Sequence, residues 1–168
     1  MFYGSAANFT TYHEDRGRTV PAEWTDSIKE AALLLASEWI DNLYGESFYG
    51  YPTDGFLQER QWPREDARTN TYPEHLFTNT ETPDNVADAT YEAAFRELTS
   101  PGALNVDFTP NKYNKASVDG AVTVEYAQNL TVNDAQVQIR VVDPILSPLL
   151  DPAKGGSFSG LSGDVSRQ

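Results

Sequence analysis

Ser27–Gly45, SIKEAALLLASEWIDNLYG, is the one strongly periodic stretch of the chain. Ile28, Ala32, Leu35, Trp39 and Leu43 recur at steps of three and four residues, a spacing that stacks them on one face of an α-helix. Ala31, Ala36 and Ile40 widen the stripe, as a core-facing helix requires. Ser27 with Glu30 reads as a capping box, Thr25 and Asp26 are competing N-caps, and Gly45 is expected to supply a left-handed stop. This helix is the expected spine of the fold, with Ile28, Leu35, Trp39 and Leu43 in its core.

Upstream, Ser5 or Asn8 is placed to cap a first helix running through Phe9 and Tyr12 to Arg16 and ending at Gly17. Downstream the periodicity collapses into aromatics set among turn residues: Tyr44, Phe48, Tyr49, Tyr51 and Phe56 with Gly45, Gly50, Pro52 and Gly55. That mixture describes a loop packed by its own rings. Leu57, Trp62 and Pro63 bring the chain back to the core, and Pro63 forbids one helix through Arg60, Arg64 and Arg68. Residues 66–80 are polar and read as a surface loop.

Thr82-Pro83 opens a second helix that ends at Ser100-Pro101-Gly102. Its small residues Ala87, Ala89, Ala93 and Ala94 allow a neighbouring helix to approach closely, so this helix and Ser27–Leu43 are expected to pair, with Trp62 and Tyr91 as further core aromatics. Beyond Val106, Lys115–Val118 and Val122–Tyr126 flank Asp119-Gly120 with alternating apolar residues, a β-hairpin pattern whose turn can exceed two residues. Val137–Val142 reads as extended. Asp143-Pro144 then caps a short helix with Ile145, Leu146, Leu149 and Leu150, before a Gly/Ser-rich stretch of tail-like composition holding Phe158 and Leu161.

The expectation is a mainly α protein, a small helical bundle with a β-hairpin or extended arm and a C-terminal tail, α+β in class. Residues 1–102 form the helical core, 103–142 the arm, and 143–168 a docking segment with its tail.

With 25 acidic against 12 basic residues, the chain carries a formal net charge of −13. Such a surface repels phosphates and argues against a protein whose affinity comes from neutralising them. Cysteine is absent, which excludes disulfides, thiolate catalysis and cysteine-bound metals. No apolar run reaches the ~20 residues of a membrane span, and MFYGSAANF lacks the basic and apolar regions of an export signal. A soluble chain without membrane contact is expected. There is no GxSxG, GxxxxGK[ST], HExxH or EF-hand pattern. His13-Glu14-Asp15 is the best local metal candidate, but consecutive helical residues point in different directions, so a solvated helix end is the expected role. No catalytic residue, metal or cofactor is expected.

The succession YGSAANFTTYHEDRG, KEAALLLASEWIDNLYG, LQERQWPR, TPDNVADATYEAAFREL, VTVEY and VVDPILSPLL resembles the phage proteins grouped as DnaT-like single-stranded-DNA-binding proteins. That group is in turn similar to the head–tail connector (adaptor, head-completion) proteins of long-tailed bacteriophages. The likeness spans Tyr3–Leu150. It implies a structural virion protein in the phage neck, forming a homo-oligomeric, dodecameric ring under the portal protein. Such a ring prolongs the channel through which genomic double-stranded DNA passes without specific binding, and carries the next neck or tail protein. It also implies that Asp143, Pro144, Ile145, Leu146, Leu149 and Leu150, with Phe158 and Leu161 in the tail, dock on the portal. The chain departs from the pattern in its longer tail and its aromatic insertion after Gly45. Two alternatives stand beside this one. The first is a single-strand-binding accessory protein using Tyr44–Phe56 with Arg60, Arg64 and Arg68; the second is another neck protein, a stopper or tail terminator.

Overall fold

The computed structural model describes residues 1–105, 115–118, 122–125 and 139–154. Helix α1 (Ala6–Glu14) starts at Ser5, whose Oγ accepts from the Asn8 N–H at 3.1 Å. Helix α2 (Asp26–Tyr44) and helix α3 (Asp84–Thr99) pack on each other as the periodicity predicts, and α1 lies against both. Between α2 and α3 the chain forms a two-residue antiparallel pair, β1 (Tyr51–Pro52) with β2 (Arg64–Glu65). Strands β3 (Lys115–Val118) and β4 (Val122–Glu125) form the antiparallel hairpin at the expected place. Val118 pairs with Val122, so residues 119–121 connect them, one more than a two-residue turn. Helix α4 (Val142–Leu146) continues into a 3₁₀ turn, Ser147–Leu149. The protein is mainly helical α+β.

The face that α2 buries differs from the expected one. Lys29, Ala32, Leu33, Ala36, Ser37 and Ile40 are buried together with Trp39, whereas Ile28 is 44% and Leu35 38% exposed and Leu43 is half-buried. Ile28 and Leu35 are therefore not core residues. The buried row is rich in Ala and Ser, matching Ala89, Ala93 and Ala94 on α3, and small residues on both sides let the two axes approach. Turning Ile28 and Leu35 inward would hold the helices apart. Trp39, Trp62 and Tyr91 are buried, as expected.

Several boundaries also shift. Thr25 is the N-cap of α2, so the Ser27–Glu30 box is not its start. Pro83, not Thr82, is the N-cap of α3. Gly45 has φ −53°, right-handed rather than left-handed, and passes the chain into a 3₁₀ turn. Its lack of a side chain serves packing, because a Cβ there would lie 2.7 Å from Gln61 Cγ. Of the segment Val137–Val142 expected to be extended, Arg140 and Val141 form a turn and Val142 begins α4, while residues 137–138 lie outside the described residues.

The larger correction concerns the C-terminal apolar cluster. Leu146, Leu149 and Leu150 are buried in the same core as Phe9, Leu33, Ile40 and Phe48, and Ile145 packs half-buried against it. Distant side chains clamp this segment. Asn70 Nδ2 donates to Ser147 O at 2.7 Å and Leu150 O at 3.0 Å, Asn85 Nδ2 donates to Ile145 O at 2.8 Å, and Tyr44 OH donates to Asp143. Residues 139–154 thus complete the helical body. The expectation that these leucines serve as docking anchors gives way to a core role, because all three are closed off from solvent by the protein itself.

Candidate partner and nucleic-acid surfaces

A single-strand-binding role would require Arg60, Arg64 and Arg68 to face solvent near stacking aromatics. Arg64 is buried at the β1–β2 pair. Its Nε donates to Tyr49 O at 2.9 Å, its Nη2 to Gly50 O at 2.8 Å, and its Nη1 to Gln61 O and Oε1 at 3.2 and 2.9 Å. The planar fork ties the aromatic loop to the returning strand, a task its fixed donor geometry suits. Burial depresses the guanidinium pKa, opposed by Tyr3 and Asp41 nearby.

Arg60 is buried as well. Its Nε donates to Met1 O at 2.7 Å, and its guanidinium lies 3.3 Å from Glu38 and 3.5 Å from both Asp41 and Glu59. Burial raises the Asp41 carboxyl, while Tyr3 OH, donating at 2.6 Å, and Arg60 pull it down. Tyr3 OH also accepts from the Trp62 N–H at 3.1 Å, which joins the first residues, α2 and the segment leading into β2 in one network. Only Arg68 is substantially exposed; it pairs with Glu74 at 3.1 Å and lies over the Tyr49 ring at 4.8 Å. Of the acids adjoining these arginines in the sequence, Glu59 is an ion-pair partner, and the remaining pairs are made with Glu38, Asp41 and Glu74 from further along the chain.

The aromatic loop divides in two. Phe48 is fully buried against Trp62, with ring centroids 5.5 Å apart, so this part is structural as expected. The tip is different: Phe56 is fully exposed, Leu57 is 90% exposed, and Tyr51 is 53% exposed; Tyr72, in the polar stretch after β2, is also fully exposed. The docking residues assigned from sequence also separate. Pro144 is exposed and Asp143 half-buried; Leu146, Leu149 and Leu150 lie inside; Phe158 and Leu161 fall outside the described residues.

His13 is not at a solvated helix end. It is fully buried between α1 and α3, its ring 4.4 Å from that of Phe95 and 4.6 Å from that of Phe9. Nε2 lies 3.1 Å from Tyr91 O and Nδ1 lies 3.3 Å from Arg18 Nη1. A carbonyl only accepts and a guanidinium only donates, so Nε2 carries the proton and Nδ1 is the acceptor. Desolvation lowers the His13 pKa, opposed by its bond to Tyr91 O and by Glu92. Glu92 is itself buried, bonded to Arg18 at 2.6 Å and accepting from Tyr12 OH at 3.2 Å. Burial and Glu92 push the Tyr12 phenol up to about 12. The cluster is a fully partnered structural joint with no vacant ligand position on the imidazole. Among the described residues, no group of three or more His, Cys, Asp or Glu side chains could hold a metal ion, and no helix is long and apolar enough to cross a membrane.

No curated protein and no solved structure matches the chain. Residues 2–168 match the family described as "Putative DnaT-like ssDNA binding protein", nearly the whole sequence. The chain belongs to that family.

Proposed function

We propose that the protein is a non-enzymatic structural protomer of a tailed-bacteriophage neck, a connector ring beneath the portal that extends the DNA channel and carries the next neck or tail protein. The observation that carries this reading is the use made of Arg60 and Arg64. The cations best placed to grip phosphates are buried in intrachain bonds, in a chain with 25 acidic residues against 12 basic. A negative exterior suits a wall along which DNA slides without being held. Docking on the portal then falls to residues beyond Lys154, with Phe158 and Leu161 as anchors, because Leu146, Leu149 and Leu150 are committed to the core.

The test is a chain ended after Lys154, assayed for co-sedimentation with portal rings. The shortened protein is expected to stay folded and lose portal binding; binding equal to that of the full chain would refute the docking role. Electron microscopy of the full chain with portal should show a ring seated under it. A position elsewhere in the neck would identify a stopper or tail terminator instead.

A second reading, a single-strand-binding accessory protein, is favoured by the family's description and by the exposed rings of Tyr51, Phe56 and Tyr72. Bases can stack on such rings, but that mode also draws on a cationic groove and weakens steeply with salt. Anisotropy of a labelled oligothymidylate at low and physiological ionic strength separates the two. The connector reading expects no binding at physiological salt, and tight, salt-sensitive binding lost on Phe56→Ala or Tyr72→Ala would replace it.

A further inference from the structure

The loop tip bearing Phe56 and Leu57 presents two adjacent, almost fully solvated apolar side chains on a 3₁₀ turn, Gly55–Leu57. The partly exposed Tyr51 ring stands at the base of the same loop. Adjoining apolar groups left in water mark a contact surface more often than isolated ones do. What covers them can be read from where the described chain leaves the body. Asp151 N–H donates to Ser47 O at 2.8 Å, and Lys154 Nζ donates to Phe48 O at 2.8 Å and to Gly50 O at 3.3 Å. Lys154 is therefore fixed beside Gly50, one residue from Tyr51.

We propose that the chain's own segment 155–168, GGSFSGLSGDVSRQ, docks on this loop, Phe158 against Tyr51 and Leu161 against the Phe56–Leu57 tip. Chain length allows it. At ~3.5 Å per residue, Phe158 reaches about 14 Å from Lys154 and Leu161 about 25 Å. The nearer anchor thus meets the nearer ring, and the farther anchor meets the tip. Charge allows it too: the segment holds one acid, Asp164, and one base, Arg167, in a chain of net charge −13. Its Gly/Ser-rich sequence of balanced side-chain charge can approach a tip flanked by Asp54 and Glu59 without like-charge repulsion. Tethering at Lys154 supplies a high effective concentration, so two weak anchors suffice. The inference does not rest on the connector reading. Where that reading holds, the portal competes for the same anchors.

The chain has no cysteine, so an introduced pair reports on itself alone. Asp54→Cys with Ser162→Cys is made in the full chain, and again in a full chain that also carries Phe158→Ser and Leu161→Ser. Disulfide formation within one chain is expected to be roughly tenfold faster with the anchors than without them. Equal rates would overturn the proposal, and a predominantly disulfide-linked dimer would overturn it in favour of a second copy as occupant. As a check free of cysteines, ending the chain after Lys154 should raise binding of an apolar dye that Phe56→Ser with Leu57→Ser removes. Unchanged dye binding would overturn the proposal independently.

Discussion

Leu146→Ala separates a core residue from a docking residue. The side chain is fully buried, and the change removes three carbons from it. At ~0.8 kcal/mol per buried methylene the lost transfer term is about 2.4 kcal/mol. The void adds to this, because Asn70 and Asn85 hold the neighbouring backbone and limit collapse; Leu→Ala at such sites costs ~3–5 kcal/mol in total. For a protein of this size each kcal/mol lowers Tm by roughly 2–4 °C, so a fall of about 6–20 °C is expected. Urea unfolding followed by tryptophan fluorescence, with calorimetric Tm, measures the effect. Pro144→Ala, on the exposed side of the same segment, is the control and should stay within ~0.5 kcal/mol. If Leu146→Ala instead left Tm unmoved while abolishing portal binding, the assignment of residues 139–154 to the core would be wrong.

Three further outcomes follow from the same bonds. Arg64→Lys should cost ~2–3 kcal/mol in urea unfolding, since one ammonium cannot satisfy acceptors on Tyr49, Gly50 and Gln61 together; Arg68→Lys, at an exposed pair, should cost less than ~0.5 kcal/mol. Gly50→Ala should cost at least ~2 kcal/mol, because φ is +71° and the new Cβ would lie 1.9 Å from Glu65 O; a near-neutral result would contradict the β1–β2 pairing. Stability should fall at both pH extremes. His13 is held neutral, with its pKa lowered, so the unfolded chain binds more protons, and stability drops as pH falls through the ordinary histidine value of ~6.5. Tyr3, Tyr12, Tyr44 and Tyr91 are raised chiefly by burial, so the folded chain keeps protons that the unfolded chain releases, and stability drops above pH ~10. Tm against pH measures both limbs, and a His13 imidazole titrating at or above ~6.5 by NMR would refute the acid one.

The elements themselves were largely legible. Periodicity placed α2 and α3, the Ser5 cap helped to place α1, and alternation around Asp119-Gly120 placed the hairpin, because these signals are local. The orientation of α2 was not. A helix carrying Ile28, Leu33, Leu34, Leu35 and Ile40 has apolar groups around much of its circumference. The deciding factor was the size match between its Ala/Ser row and that of α3, a pairwise property no single stretch displays. Likewise Ile145, Leu146, Leu149 and Leu150 announce an apolar surface without saying whose core receives it. The answer lay in Asn70 and Asn85, sixty or more residues upstream. The partners of Arg60 and Arg64 were hidden for the same reason: Arg64 meets backbone carbonyls and Gln61, Arg60 meets Met1 O and the distant acids Glu38 and Asp41, and a sequence does not show which of these come within reach. The exposure of Phe56 and Leu57 was hidden in a loop that also holds Phe48, which is wholly internal.

The closure of the core by the segment ending at Leu150 bears on how the chain matures. Phe48 pairs with Leu150 across the sheet-like bridge, and Tyr44 reaches Asp143, ninety-nine positions away. Helices α1, α2 and α3 can meet as soon as they exist, yet Phe48 and the face of α3 that receives α4 lack their final neighbours until Val142–Leu150 has been synthesised. Contacts of such long range slow the last step of folding. A nascent or prematurely ended chain would therefore stay ajar, its greasy interior open to chaperones and proteases. Only protomers translated past Leu150 would pass as finished parts, a form of quality control by topology for a protein whose proposed task is to be one of many identical subunits.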